Sequence, residues 1–289
     1  MPTVLLVTCA LLPDGEEAGH LLPAALAERG VGARWVVWDD PAVDWAAADL
    51  VAVRSTWDYH RRLPEFLGWA RSVEARVPLL NGAEVFAWNA DKSYLLELAH
   101  GDPAVPVVPT RLLEDRDLVP TLRAAIEELG TVLVKPRTGA GGVGVVLADS
   151  LTDPRLEHLA AGPWVVQPVV ESVRTEGETS VFVLGGRPTS QVDKVPATGE
   201  VRVHEHFGGR SRPVELRAEA VEVSLAAVEA VVRRLGRELP YARVDLMRLA
   251  DGTLAVSELE LIEPGLYLDV HPANAGHFAA TVAGVLEGR

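Results

Sequence analysis

The chain has 289 residues, 48% of them hydrophobic and 24% charged, with 27 basic against 41 acidic side chains and a formal net charge of −14. That length allows two domains or three small ones with real cores, and the composition excludes wholesale disorder. The acidic balance argues against nucleic-acid binding, the single cysteine Cys9 excludes an internal disulfide, and no apolar run approaches the ~18 residues of a membrane span.

The apolar start at Val4 follows no basic residue, so a soluble cytoplasmic protein without a secretory signal is expected. Thr3-Val4-Leu5-Leu6-Val7-Thr8 predicts a buried strand. Helical spacing over 18–29 stops at Gly30. Strands are expected over 33–38 and 50–54, a helix over 64–73 and a short strand over 78–81. Strand alternating with helix implies a parallel sheet faced by helices, an N-terminal α/β domain of residues 1–88.

A helix over 91–100 leads to a boundary-like Gly101-Asp102-Pro103. A strand over 105–112, a helix over 118–129, a strand over 131–135, a glycine-rich loop and a strand over 143–147 make a small central α+β domain, residues 89–166. The remainder, 167–289, is richer in strands. Trp164-Val165-Val166-Gln167 leads into strands over 179–184, 189–195 and 200–206. A helix over 218–239 follows, then a hairpin of 241–249 with 253–262 about Ala250-Asp251-Gly252, and a helix over 274–286. The fold class is mixed α/β and α+β, with antiparallel strands last.

Only Lys92, Lys135 and Lys194 are lysine among the basic residues, and only Asn81, Asn89 and Asn274 are asparagine. Coding preference accounts for such a bias, yet a retained lysine also suits a site needing a compact ammonium. Gly139-Ala140-Gly141-Gly142-Val143-Gly144 matches G-x-G-x-x-G, but the β-branched run after it opens no helix, which counts against an NAD(P) dehydrogenase. The loop reads as a hairpin able to fold its backbone N–H groups over phosphates. Lys135 before it, with Arg137 and Thr138 at its root, favours that use over a merely flexible turn. Glu258 and Glu260 share a strand face, and Asp245 faces them if the hairpin pairs. Three converging carboxylates require a cation, and oxygen ligands suit Mg²⁺. Alternating acids on a solvated strand are the blander reading. His204 and His206 are expected on one polar strand face rather than around zinc.

In order, these parts resemble the ATP-grasp superfamily, the fold of glutathione synthetase, D-alanine–D-alanine ligase and the ribosomal-protein glutamate ligases. Asn89-Ala90-Asp91-Lys92 resembles the lysine before the central domain, and Val105-Pro106-Val107-Val108-Pro109-Thr110 its P-x-T strand. Val132-Leu133-Val134-Lys135-Pro136 with the glycine loop is similar to the second lysine and mobile phosphate flap. The resemblance implies ATP as cosubstrate with Mg²⁺ or Mn²⁺. Lys92, Lys135, Thr138, Gly139, Gly141 and Gly142 would hold the phosphates, Gln167, Pro168, Val169 and Val170 the adenine, and Glu178 the ribose. Asp245, Glu258 and Glu260 match the metal carboxylates, with Glu260 standing where the family commonly has Asn. Arg54-Ser55-Thr56-Trp57-Asp58-Tyr59 and the segment from Val201 to Arg210 look like the subgroup containing the O-ureidoserine cyclo-ligase of D-cycloserine biosynthesis.

The function so implied is an ATP-dependent carboxylate–amine ligase acting through an acylphosphate on a small amino-acid-like molecule. Lys135, Lys194 and Arg202 would act at the transferred phosphoryl group. Arg54, Ser55, Thr56, Asp58 and Arg202 would hold the substrate. An intermolecular amide ligase and a non-catalytic nucleotide-binding module are the alternatives. A homodimer and a homotetramer both stay open.

Overall fold

A computed structural model of the chain describes residues 1–101, 104–158 and 163–288, so Asp102 and Pro103 of the expected boundary lie outside the described residues. The strands among them fall into three sheets. Residues 4–7 carry no polar side chain and need cover on both faces. They find it in β1 (Thr3–Thr8), which is central to a parallel sheet ordered β2-β1-β3 with β2 (Gly32–Val37) and β3 (Leu50–Ser55). Val4 and Leu6 pack with Leu22 and Leu26 of α1 (Leu21–Ala27). Leu5 and Val7 face the other way, toward Phe66 and Val73 of α2 (Leu63–Glu74).

Helix α3 (Ala83–Asn89) has no counterpart in the sequence expectations, although Val85, Phe86 and Asn89 give it one buried stripe. Helix α4 (Tyr94–Ala99) starts later than expected, because the Asp91 carboxylate accepts the Ser93 N–H and holds the chain in a turn.

The next sheet is antiparallel, ordered β4-β7-β5-β6, with β4 (Arg111–Leu113), β5 (Val132–Pro136), β6 (Val146–Ala148) and β7 (Trp164–Pro168). Helix α5 (Leu118–Leu129) covers one face through Leu122 and Ala125. The strand expected over 105–112 shrinks to β4. Pro106 and Pro109 have no N–H for a ladder, and Val107 bridges instead to Val256 in the last part of the chain.

That last part is an antiparallel sheet ordered β10-β9-β8-β11-β12, with β8 (Glu178–Leu184), β9 (Arg187–Val195), β10 (Arg210–Val214), β11 (Tyr241–Arg248) and β12 (Leu254–Glu260). Period-two alternation puts Val181 and Val183 under α6 (Ala218–Leu235), and Phe182 and Leu184 against α7 (Ala273–Glu287). Since α1 packs on α7, the parallel sheet and this sheet share a core. The strand expected over 200–206 does not form. Gly208 at φ +82° and Gly209, whose Cβ would fall 2.0 Å from the Val203 carbonyl oxygen, turn the chain back, and only β10 beyond them pairs with β9. No helix among the described residues is long and apolar enough to cross a membrane.

Beyond β12 the chain passes between the two sheets, and side chains supply its hydrogen bonds. Asn89 accepts from Leu261 N–H (2.9 Å) and donates to the Leu259 carbonyl (2.7 Å). Asn81 donates to the Leu261 carbonyl (2.8 Å), Tyr241 to that of Ile262 (2.8 Å), and Asn274 to that of Leu266 (2.8 Å). All the asparagines of the chain thus serve this one segment. Asn89→Ala leaves the buried Leu261 N–H unpaired, at ~1–3 kcal/mol, and the Leu259 carbonyl with only the Tyr94 hydroxyl, so a loss of about 2–3 kcal/mol is expected in denaturant unfolding. A change below roughly 0.5 kcal/mol, the range of ordinary surface substitutions, would contradict that role.

Candidate active site

A cavity of about 500 Å³ lies where the β5–β6 hairpin, the large sheet and the turn after β3 meet. The glycine loop joins two antiparallel strands and opens no helix, as its sequence predicts. Gly141, Gly142 and Gly144 take positive φ. A Cβ on Gly142 would fall 3.1 Å from the His204 ring, so the 196–209 connection closes directly over the loop. Arg137 fixes the loop's root by pairing with Asp91 (2.6 Å) and Glu114 (2.7 Å). Thr138 is not on the cavity wall.

Lys92 and Lys135 both face the cavity beside this loop. Lys92 pairs with Glu258 (2.8 Å) and donates to the Gly139 carbonyl (3.1 Å). Burial opposes its charge, but Glu258 more than compensates and its pKa is raised. Lys135 is buried with no hydrogen bond or ion pair among the described residues. Burial pushes its pKa down, and the neighbouring Lys92 adds to this. An ammonium in that state calls for an anion.

The carboxylates do converge: Asp245 lies opposite Glu258 and Arg243 opposite Glu260 in the β11–β12 ladder. The cations that neutralise them belong to the chain. Asp245 accepts from Ser180 (2.5 Å) and from Arg243 (3.0 and 2.8 Å), and it forms an ion pair with Lys194 (3.3 Å). It does not reach the cavity, and although burial opposes its ionisation, Arg243 and Lys194 hold its carboxyl below the usual range. In this arrangement its oxygens are engaged by Ser180, Arg243 and Lys194, so Asp245 stands behind Glu258 and Glu260, off the cavity wall. No group of three or more ligating side chains that could hold a metal occurs among the described residues. Glu258 and Glu260 do line the cavity, with 33% and 27% of their side chains exposed. Burial raises the pKa of Glu260 to about 7 despite Arg243, whereas Lys92 and Lys135 overcome burial and lower that of Glu258 to about 2. Two carboxylates with phosphate oxygens are a donor set that fits Mg²⁺.

Gln167, Pro168, Val169 and Val170 line the cavity with apolar Val108 and Leu133, and Gln167 is oriented by its bond to Thr110 (2.8 Å). Glu178 also lines it and accepts from Lys194, which stands behind the wall instead of on it. Arg202 lines the cavity, paired with Glu200 (2.5 Å) and stacked over the Phe207 ring. Burial, aided by Lys194, pushes His204 down to about 4, so this imidazole is neutral at neutral pH.

The Arg54 to Asp58 expectation is corrected. Arg54 is fully buried, against the Tyr241 and Phe278 rings, and donates to the Pro264 carbonyl. Ser55 and Thr56 are buried off the cavity, and Asp58 turns away to accept from the Trp38 indole (3.1 Å). What the turn presents instead is Trp57, Tyr59 and Arg61, together with Glu16 from the β1–α1 connection and Glu263 after β12. Sequence reasoning passed over these. Glu263-Pro264-Gly265, a turn directly after the paired glutamates, was the available signal.

Residues 4–81 match the family described as D-cycloserine synthetase DcsG, N-terminal domain, and residues 106–240 match the ATP-grasp domain of prokaryotic glutathione synthetase. The cycloserine biosynthesis protein DcsG of Streptomyces lavendulae is 35% identical, covering 98% of each chain. Glutathione synthetase of Rhodopseudomonas palustris is 27% identical, covering 98% of this chain and 93% of its own. The crystal structure of D-cycloserine synthetase DcsG superposes with a TM-score of 0.87 at 32% identity, over 98% of this chain and 99% of that one. D-alanine–D-alanine ligase from Bacillus anthracis shares the fold, with a TM-score of 0.66 at 16% identity over 99% and 97%.

Asp245→Asn keeps the shape and removes the charge that balances Arg243 and Lys194. A destabilisation on the order of 3 kcal/mol is expected, because a buried charge is left uncompensated. Since the native pKa is depressed, the stability that Asp245 contributes is present above the unfolded carboxylate range near pH ~4 and is lost as pH falls below it. Melting temperatures against pH check this: the variant should lie below wild type at pH 7 and converge on it in acid. Parallel curves would contradict it.

Proposed function

The chain belongs to the ATP-grasp ligases, and from that premise we propose that it activates the carboxylate of a small amino acid and closes a ring onto a nitrogen of the same molecule, as in D-cycloserine formation from O-ureidoserine. Identity to DcsG across nearly the whole chain supports the ring-closing reading. The observation that carries the phosphate assignment is Lys135, an unpaired, buried ammonium beside the glycine hairpin. In such a ligase a carboxylate oxygen attacks the γ-phosphorus, ADP leaves, and the nitrogen lone pair then attacks the acyl carbon while phosphate departs with the proton. From O-ureidoserine this closes the ring with the carbamoyl group still on its nitrogen. Water must then remove that group as carbamate, which decomposes to CO₂ and NH₃, to leave D-cycloserine. Lys92 and Lys135 neutralise phosphate charge, and the glycine loop offers backbone N–H groups. Gln167 to Val170 bed the adenine, and Glu178, oriented by Lys194, meets the ribose. Glu258 and Glu260 hold Mg²⁺ or Mn²⁺, which when bound offsets phosphoryl charge. Arg202, held by Glu200, faces the acylphosphate. The protein contributes mainly position and charge.

A ligase joining two separate molecules is the second reading, favoured by the glutathione synthetase match over 106–240. ADP release with ATP, Mg²⁺ and O-ureidoserine should depend on all three and yield a cyclic product by mass. ADP without cyclic product when a second amino acid is supplied supports the intermolecular reading, and ADP release indifferent to the amino acid sinks both.

Lys135→Met should lower turnover by about 10²-fold, the usual cost of losing one charge-assisted contact to a developing anion, with the fold unchanged by circular dichroism. Wild-type turnover in that variant would remove Lys135 from the phosphate site.

A further inference from the structure

Glu263 is the anionic counterpart of Lys135. Its residue is 8% exposed and lines the cavity, yet its carboxylate has no hydrogen bond or ion pair among the described residues. Cations stand nearby but are committed: Lys92 to Glu258, and Arg243 to Asp245 and Glu260. Burial first, and then the Glu260 charge, raise its pKa well above the usual value, as happens to a carboxyl lacking a counter-ion. A buried charge in this condition is costly, so the fold has a reason to keep a glutamate there only if something positive meets it.

The backbone around Glu263 is held unusually firmly. Its own carbonyl accepts from the Trp57 indole (3.0 Å), the Pro264 carbonyl from Arg54, and the Gly265 carbonyl from Arg243 (3.2 Å). The Leu266 N–H is bound by Glu16 (2.6 Å). Three of these four anchors come from the N-terminal α/β part. The backbone that carries the carboxylate is therefore preset before any ligand arrives.

We infer that Glu263 receives the protonated amino group of the substrate, forming an ammonium subsite with the ring of Trp57, whose indole binds the Glu263 carbonyl, and that of Tyr59 from the same turn, both on the cavity wall. Carboxylate plus aromatic faces is the chemistry that recognises an ammonium. It suits a divalent cation poorly, since Mg²⁺ seeks several oxygens, and Glu258 with Glu260 supplies them nearer the phosphate lysines. Glu263 follows those two along the same segment and lines the same cavity. An amino acid whose carboxylate points to the phosphoryl end would present its ammonium there. The identity of that carrier rests on the ligase reading above; the ammonium preference does not.

The test is calorimetric titration of the full chain with O-ureidoserine and with its des-amino counterpart, 3-(ureidooxy)propionate, repeated on Glu263→Gln and Glu263→Asp. Wild type should bind the amino compound at least tenfold more tightly, Glu263→Gln should bind both alike, and Glu263→Asp should keep only part of the preference. The inference is overturned if wild type binds the two equally or binds neither, or if Glu263→Gln retains the preference. Should Glu263→Gln not fold, Glu263→Asp against wild type decides, an unchanged ratio counting against the subsite. ADP release is followed in parallel: a binding preference without ADP release defeats the ligase reading and leaves the subsite standing.

Discussion

The structure turns on how the chain leaves β12. From Leu261 to Leu266, directly after β12, the backbone runs between two sheets without joining the ladder of either, so its polar groups need partners from elsewhere or the core cannot close over them. Side chains provide them: Asn89 and Asn81 at Leu261, Tyr241 at Ile262, Trp57 at Glu263, Arg54 at Pro264, Glu16 and Asn274 at Leu266. Most of these come from residues 1–94, so the same bonds that satisfy the segment lock the parallel sheet onto the antiparallel one. They also explain why Arg54, attractive as a substrate ligand in the sequence, is spent on structure.

Charge follows the same economy of partners. Lys194, Arg243, Asp245, Glu178 and Glu260 form a connected buried network, and each member is stable there only because the others are present. Beside that network, Lys135 and Glu263 are buried charged side chains on the cavity wall with no hydrogen bond or ion pair among the described residues. An otherwise compensated interior makes an unpaired charge informative, since it marks where the protein has left the counter-ion to a ligand.

Cover over the cavity beside Lys92 and Lys135 belongs to two loops. The glycine hairpin is short of side chains, and the 196–209 connection sets His204, His206 and Phe207 against it, with His206 and Phe207 rings 4.0 Å apart. Glycine is required at residue 142 by the His204 ring, which would meet any Cβ. A neutral His204 adds no repulsion to the lysines beneath.

Element order, the parallel-then-antiparallel change and the β11–β12 hairpin were legible from sequence because they depend on local periodicity: buried runs, alternation and turn residues over a few positions. The rare lysines and the Glu258–Glu260 pair were legible for the same reason, as composition and spacing. Strands over 105–112 and 200–206 failed where local propensity met prolines without donors and a glycine pair forced back by a carbonyl. The sequence by itself determined which chemistry the chain carries, oxygen ligands, ammonium groups and a glycine loop. Only the tertiary structure decided which of those charges are free, because whether Asp245 or Glu263, Arg54 or Lys135 faces the cavity depends on partners brought from up to 210 residues away.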